Sequence, residues 1–350
     1  MDATSVFNRE MLNIAYGWLC KQRAHFPPNA DVWHLRFHWG RIAPPLLASL
    51  GVGQYRFSPM ESITKADGTT VHLWSAQDAL VLKMLAMGIA PRLECSERCT
   101  HLKGHGGLKW IVANIQSQLP LYRFVMRTDV QGFYENMDQY RLLEQLAERI
   151  RDRVLLNYLW QAMRRIVHHG GLYREIQRGV ARGCPLSPLL GALHLRGGLD
   201  KEPGDRSPPE GVFYVRYMDD ILLLAQTRWK LRRAIRTLRS RIEDLNLDLH
   251  PDKTFVGRIE KGFDFLGYRF GRGSLALGLA QKTVSNHVQR MHRLYEQQAK
   301  KQATPFEVAG VLGAYVKRWR RWCRAGLRVP VLIWPVDASR PSLRLQGQVN

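Results

Sequence analysis

The feature that most constrains this chain is an apolar run at residues 212–215 that passes through Arg216 into Tyr217-Met218-Asp219-Asp220 and is followed at once by a second apolar run at 221–225. Two such runs around a short polar break read as a β-hairpin with two carboxylates at its tip. Taken alone, an Asp-Asp pair is more often a solvated turn. Held rigidly, however, adjacent aspartates repel unless a cation lies between them, and a hard oxygen-ligated ion such as magnesium suits the site.

A magnesium site of this kind needs a further carboxylate from elsewhere in the chain. Residues 121–127 read as a strand that ends in Thr128-Asp129-Val130-Gln131-Gly132-Phe133-Tyr134, with an acid at the strand end followed by glycine and two aromatics. Asp129 is therefore the expected partner of the hairpin. Two metals held by Asp129, Asp219 and Asp220 would clamp the attacking and leaving oxygens of an in-line phosphoryl displacement, the chemistry of a nucleotide polymerase.

At this point residues 50–325 resemble the palm and flanking parts of reverse transcriptases, specifically the prokaryotic group II intron-like branch and its unknown-group, defence-associated members. The resemblance lies in five motifs in order. Asp129 to Phe133 and Tyr134 is similar to the first catalytic motif, and Arg182-Gly183-Cys184-Pro185-Leu186-Ser187-Pro188 to the nucleotide-pocket motif. Tyr217 to Asp220 matches the catalytic hairpin. Leu247-Asp248-Leu249-His250-Pro251-Asp252-Lys253 resembles the motif whose lysine approaches the triphosphate, and Phe263-Asp264-Phe265-Leu266-Gly267-Tyr268 the primer grip.

The resemblance implies roles. Asp129, Asp219, Asp220 and the Val130 carbonyl would hold two Mg2+ ions, with Mn2+ as a substitute, and Lys253 would serve the leaving pyrophosphate. Tyr134 is the first choice, and Phe133 the second, for the aromatic beneath the incoming sugar that rejects a 2′-hydroxyl. Arg182, Gly183, Ser187, Tyr217 and Lys65 complete the expected nucleotide contacts, and Phe265, Leu266 and Gly267 the primer grip. Two positions depart from the family pattern. Arg182 stands where glutamine is usual, and Val71 where a triphosphate-binding arginine is expected, leaving Arg56, Lys65 or His72 as substitutes.

Composition agrees with a nucleic-acid enzyme. Lys+Arg number 52 against 30 Asp+Glu, a net charge of +22, which suits a phosphate backbone. No apolar run approaches a membrane span and no signal-peptide pattern opens the chain, so a cytoplasmic protein without a membrane partner is expected. Five scattered cysteines predict reduced thiols. Cys95, Cys99, His101 and His105 fall close together, but their spacing is not a standard zinc pattern, and a loop is the expectation.

The expected fold is α+β, a right-hand polymerase: a helical N-terminal extension over 1–50, fingers over 51–120, a palm with an antiparallel sheet over 121–273, a small helical thumb over 274–330 and a C-terminal tail over 331–350. Helices are predicted near 139–150, started by Asp138, and near 155–168. Another is predicted from Ser187 as N-cap with Pro188 at the first helical position. An amphipathic helix at 228–245 turns Arg232, Arg233, Arg236, Arg239 and Arg241 outward, and residues 201–211 form an exposed loop. In the thumb, Trp319 and Trp322 of the basic run Lys317-Arg318-Trp319-Arg320-Arg321-Trp322 read equally as nucleic-acid contacts or as core.

The expected activity is RNA-directed DNA synthesis from dNTPs on an RNA template, implied to be a dedicated noncoding RNA in antiphage defence, with a DNA product. A retron, diversity-generating or CRISPR-associated polymerase is the enzymatic alternative, and a non-catalytic RNA-binding splicing or scaffold protein the alternative of another class. A partner protein or homo-oligomer stays open. No endonuclease-like cluster follows residue 330, so an intact intron mobility protein is not expected.

Overall fold

The N-terminal helices exist to cover one buried helix. In the computed structural model, which describes residues 2–64, 68, 70–93, 95–96, 98–196, 199, 210–271 and 277–327, α1 (Ala3–Val6), α2 (Arg9–Gln22), α3 (Asp31–Phe37) and α4 (Trp39–Gly51) precede a hairpin of β1 (Met60–Thr64) and β2 (Thr70–Leu73). Next comes α5 (Ala76–Ile89), apolar on nearly every side and packed against α1, α2 and α3. Gly88 permits the closest of these contacts, since a Cβ there would meet Val6 Cγ1 at 2.5 Å. Lys65, the 201–209 loop and the 331–350 tail lie outside the described residues.

One acid is buried within this layer. Asp78 is fully buried and accepts from the Tyr55 hydroxyl at 2.5 Å, the Ser75 hydroxyl at 2.7 Å and the Ser58 backbone N–H at 3.2 Å. Burial pushes its carboxyl above the usual range, while these donors pull it back. Asp78→Ala strands three donors and is expected to cost about 2–4 kcal/mol in chemical denaturation.

Further along lie α6 (Gly107–Gln118), β3 (Phe124–Thr128), α7 (Phe133–Asn136), α8 (Gln139–Ala147), α9 (Arg153–Met163), β4 (Ile166–His169), β5 (Leu172–Glu175), α10 (Ser187–Arg196), β6 (Val212–Tyr217), β7 (Asp220–Ala225) and α11 (Arg228–Glu243). The chain continues through β8 (Phe255–Arg258), β9 (Phe263–Phe265), β10 (Tyr268–Phe270), β11 (Leu277–Leu279), α12 (Gln281–Lys300) and α13 (Pro305–Gly326). Among the described residues the strands form three sheets, ordered β2-β1-β4-β5, β6-β7-β3-β8 and β11-β10-β9. The chain divides into two compact units, 1–107 with 125–256, and 108–124 with 257–350.

Several expectations meet their elements. Asp138 caps α8 through bonds from the Tyr140 and Arg141 N–H groups, and α11 buries Leu231, Ala234, Leu238 and Ile242 against β7 and β6. Others need correction. The helix expected to reach 168 stops at Met163, because Gly170 and Gly171, both at positive φ, close a two-residue turn that pairs His169 with Leu172 in a β4–β5 hairpin. Ser187 does not cap α10; its hydroxyl donates backwards to the Ala181 carbonyl. Arg241 is half-buried, its guanidinium donating to the Leu199 carbonyl at 3.4 Å.

Candidate active site

Asp129 stands just past β3, whose Val125 and Met126 are fully buried. Its position is set by the segment after α11. The His250 N–H donates to the Asp129 carbonyl at 2.7 Å and the Gln131 N–H to the Asp248 carbonyl at 2.8 Å, a bridge that pairs Val130 with Leu249. Thr128 and Thr254 hydroxyls meet at 2.6 Å. This pairing carries Lys253 to Asp129, where its ammonium forms an ion pair with Oδ2. Residues about 120 apart in sequence thus share one corner, and the Asp129 bond raises the Lys253 pKa.

On the other side β6 and β7 pair from Val212 opposite Ala225 to Tyr217 opposite Asp220, so Met218 and Asp219 form the turn and Asp220 opens β7. Met218 has φ 57°, the left-handed region that usually takes glycine. Two groups hold it there. Its N–H donates to His101 Nδ1 at 3.1 Å, and its carbonyl accepts from the fully buried Arg216 guanidinium at 3.3 Å. His101 Nε2 lies 3.0 Å from the Pro188 carbonyl, and Arg216 also donates to the Ala192 carbonyl at 3.2 Å, so both tie the turn to α10. The ring nitrogens of His101 are thereby engaged in hydrogen bonds, and His105 Nδ1 lies 3.1 Å from the Ser96 carbonyl.

The two acids of the hairpin feel Asp129 and each other. Burial, then the Asp129 charge, lifts the Asp219 carboxyl to about 6; burial, then Asp129 and Asp219, lifts Asp220 to about 7. Lys253 opposes both shifts. Among the described residues no three His, Cys, Asp or Glu side chains stand close enough to hold a metal ion as they are placed, and the positive charge beside Asp129 is that of Lys253.

Of the two aromatics after Gly132, Tyr134 alone reaches this charge. Burial, then Asp219, pushes its phenol up, with Arg216 and Arg182 opposing. Phe133 is 1% exposed and packs on α10, where a Cβ at Gly191 would lie 3.0 Å from its ring, so the structure does not bring it to the aspartates. Arg182 is exposed and pairs with Glu135 at 3.4 Å. Ser187 is buried and braces its loop, and Tyr217 sets its ring edgewise to His101 at 5.9 Å. Gly183, at φ 74°, has open space where a Cβ would stand.

Sequence reasoning missed the brace beneath Tyr134. Gly179, at φ 73°, lies so close to α7 that a Cβ would sit 2.5 Å from the Tyr134 and Glu135 carbonyls. The Val180 N–H donates to the Tyr134 carbonyl at 2.7 Å, while Gln139 and the buried Arg165 both donate to the Gly179 carbonyl. For Arg216 a signal was present: one cation inside an otherwise uncharged strand that must be buried.

In the β1–β2 hairpin Val71 lies opposite Ile63, and His72 is bonded to the Ser62 hydroxyl at 3.0 Å. Arg56 Nη1 donates to the Gly53 and Tyr55 carbonyls. Within the second unit, Leu266 and Gly267 form a tight turn with both φ positive, as a two-residue hairpin requires. A Cβ at Gly267 would meet Trp322 at 2.8 Å, and the Tyr268 ring stacks on Trp322 at 4.9 Å. Trp319 stacks on His287 at 3.7 Å. Trp319 and Trp322 therefore both pack within their own unit.

An antiparallel hairpin bearing two aspartates, beside a strand that ends in a third, is the arrangement of a polymerase palm. Residues 53–270 match the model of the family described as reverse transcriptase (RNA-dependent DNA polymerase), and the chain belongs to that family. A curated relative, Protein YkfC of Escherichia coli (strain K12), is 29% identical over 180 residues, 43% of this chain and 47% of that protein. The chain thus spans about half the length of the curated relative it matches. An apo telomerase from Candida tropicalis, truncated from its C-terminal domain, superposes with a TM-score of 0.51 at 12% identity over 69% of this chain and 60% of that one. That likeness shows the α+β fold. No helix among the described residues is long and apolar enough to cross a membrane.

Proposed function

We propose that the chain is an RNA-directed DNA polymerase that extends a primer with dNTPs on an RNA template. The observation that carries this reading is the convergence of Asp129, Asp219 and Asp220, where burial and then the neighbouring acids lift the last two carboxyls to about 6 and about 7. Such a donor set, all oxygen and with three acids against the one ammonium of Lys253, fits Mg2+, with Mn2+ as a substitute. Asp129, Asp219 and Asp220 would hold the ions together with the Val130 carbonyl, which neither bond of the Leu249 bridge uses. When bound, the metals favour ionisation of the attacking 3′-hydroxyl and neutralise charge on the leaving pyrophosphate.

The protein groups do the rest. Tyr134, braced from behind by Gly179 and Val180, sets the floor of the sugar pocket and excludes a 2′-hydroxyl. Arg182 exchanges Glu135 for a phosphate of the incoming nucleotide, and Lys253, released from Asp129, meets the departing pyrophosphate. Leu266 and Gly267 support the primer end. Arg216 and His101 keep the Met218 turn, and hence Asp219, in place. Arg216→Met removes the bond to the Met218 carbonyl and is expected to lower kcat about 10- to 100-fold with the KM for dNTP nearly unchanged, read by steady-state extension.

The departures at Arg182 and Val71 support a specialised enzyme, and the resemblance to unknown-group reverse transcriptases is what suggests a dedicated noncoding RNA in antiphage defence. The test is incorporation of each labelled dNTP by the purified protein with its co-purifying RNA, with and without Mg2+, beside Asp219→Ala/Asp220→Ala, followed by sequencing of product and RNA. Product from the wild type alone, copied from one RNA, supports the whole reading. Product copied from any RNA supplied removes the dedicated template, and no product on any primer and template leaves an RNA-binding scaffold.

A further inference from the structure

The solvent side of α11 carries positive charge that no carboxylate answers within the described structure. Arg228, Arg232, Arg233, Arg236 and Arg239 are exposed, and none forms an ion pair among the described residues. Four of them, Arg228, Arg232, Arg236 and Arg239, recur at intervals of four, four and three. They therefore form one stripe, with a rise of about 6 Å between the first members.

Like charges at these intervals destabilise a helix. Nothing within the described fold repays that cost. Leu231, Ala234, Leu238 and Ile242 already supply the buried face, and Thr227 caps the N-terminus by accepting from the Lys230 N–H. Beyond the helix end the positive surface continues: Arg141 donates to the Asp244 carbonyl at 2.8 Å and Arg178 to the Asn246 carbonyl at 3.1 Å. An external polyanion is the economical explanation of the stripe.

The chemistry selects among polyanions. The cations of the stripe are all arginine, whose planar fork matches phosphate oxygens in pairs and lies flat on rings. Arg232 already lies over the Trp229 ring at 5.4 Å, and that ring is 76% exposed. An indole and guanidinium presented to solvent beside a row of arginines form a platform for an unpaired base next to a phosphate track. A membrane surface would call for a broad apolar face, whereas Trp229 is the only large apolar side chain of α11 exposed to solvent.

We propose that this face of α11 binds a segment of structured RNA, with phosphates along the arginine stripe and an unpaired base on Trp229. The choice of RNA as the polyanion rests on the polymerase reading. The segment is not the strand being copied: the six residues of β7 span roughly 20 Å from the aspartate turn, and α11 begins three residues beyond Ala225, so Trp229 and Arg232 stand at the end of that strand away from the acids. The surface thus holds the RNA body while its template region is read elsewhere.

The test compares the full-length wild type with R232Q/R233Q/R236Q/R239Q and, separately, with Trp229→Ala, all exposed positions. A short labelled RNA stem-loop is titrated across a salt series. The quadruple variant is expected to bind about 30-fold more weakly at about 0.15 M salt, with a salt slope smaller by about three. Trp229→Ala is expected to lose about 5- to 10-fold with the slope unchanged. Extension of a pre-annealed primer–template hybrid should stay within about twofold.

Unchanged RNA affinity and slope in the quadruple variant would overturn the proposal. So would a loss seen on phosphatidylglycerol vesicles but not on RNA, which assigns the face to a membrane, or an equal loss on a DNA stem-loop, which makes it a generic polyanion surface. If the wild type makes no DNA yet RNA binding depends on these arginines, the polymerase reading falls and this one stands.

Discussion

Asp219→Ala is expected to abolish dNTP incorporation, lowering the rate by at least about a thousandfold, while the fold persists and the metal-free protein becomes more stable at alkaline pH. The second half distinguishes a catalytic acid from a structural one, and Asp220→Asn isolates it with least disturbance of shape. The Asp220 carboxyl is held up to about 7 against an ordinary value of 3.8. Below about 3.8 both folded and unfolded chains carry the proton and the site costs nothing. Between 3.8 and about 7 the unfolded chain ionises while the folded one keeps its proton, so stability falls as pH rises.

Above about 7 the full penalty is present. Because the carboxyl is partly exposed, the penalty is on the order of 1–2 kcal/mol. Asp220→Asn should therefore raise Tm by about 2–4 °C at pH 8 and leave it unchanged near pH 4. Adding Mg2+ at pH 8 should stabilise the wild type and do little for the variant. A variant that loses stability at pH 8, or a wild type whose Tm ignores Mg2+ and Mn2+, would remove the acids from a metal site.

The second large effect concerns sugar selection. Tyr134→Ala is expected to lower discrimination between dCTP and CTP about 100-fold, chiefly by improving ribonucleotide use, with deoxynucleotide rates within about tenfold of the wild type. The backbone that carries the ring is braced independently of the ring itself: Gly179 lies against the Tyr134 and Glu135 carbonyls, and Val180 bonds the former. Truncation should thus enlarge the pocket without collapsing it. Phe133→Ala, cutting a fully packed ring, should instead lower stability by about 3–4 kcal/mol. Single-nucleotide incorporation with matched pairs of triphosphates measures the ratio, and an unchanged ratio for Tyr134→Ala would assign the pocket floor to another group.

Much of the local structure of the candidate site was legible because it is set by neighbours in sequence. Two apolar runs around Tyr217 to Asp220 admit little but a hairpin, and a strand that ends in Asp129-Val130-Gln131-Gly132 places an acid at an edge with a left-handed glycine behind it, at φ 54°. Asp138 announces α8, and the 4-3-4-3 spacing of Leu231 through Leu245 announces α11, because capping and periodicity are properties of neighbours in sequence. The misreading at residues 155–168 was also local. Gly170-Gly171 is a hairpin turn signal that ends the helical pattern, and apolar spacing alone overran it.

What the sequence by itself determined was the inventory: which acids, which aromatics, which strands and helices, and a basic chain of net charge +22. Only the tertiary structure decided which members act together. Lys253 meets Asp129 because a backbone bridge joins Val130 to Leu249 across more than a hundred residues. Tyr134 rather than Phe133 reaches the acids because α10 claims the phenylalanine ring, and Met218 is held in its left-handed conformation by His101 and Arg216 from opposite sides. The physical reason is one of range. Propensity and capping act over a few residues, whereas the burial that lifts a carboxyl to about 7 and the contacts that hold a turn at positive φ are set by groups the chain brings together only on folding.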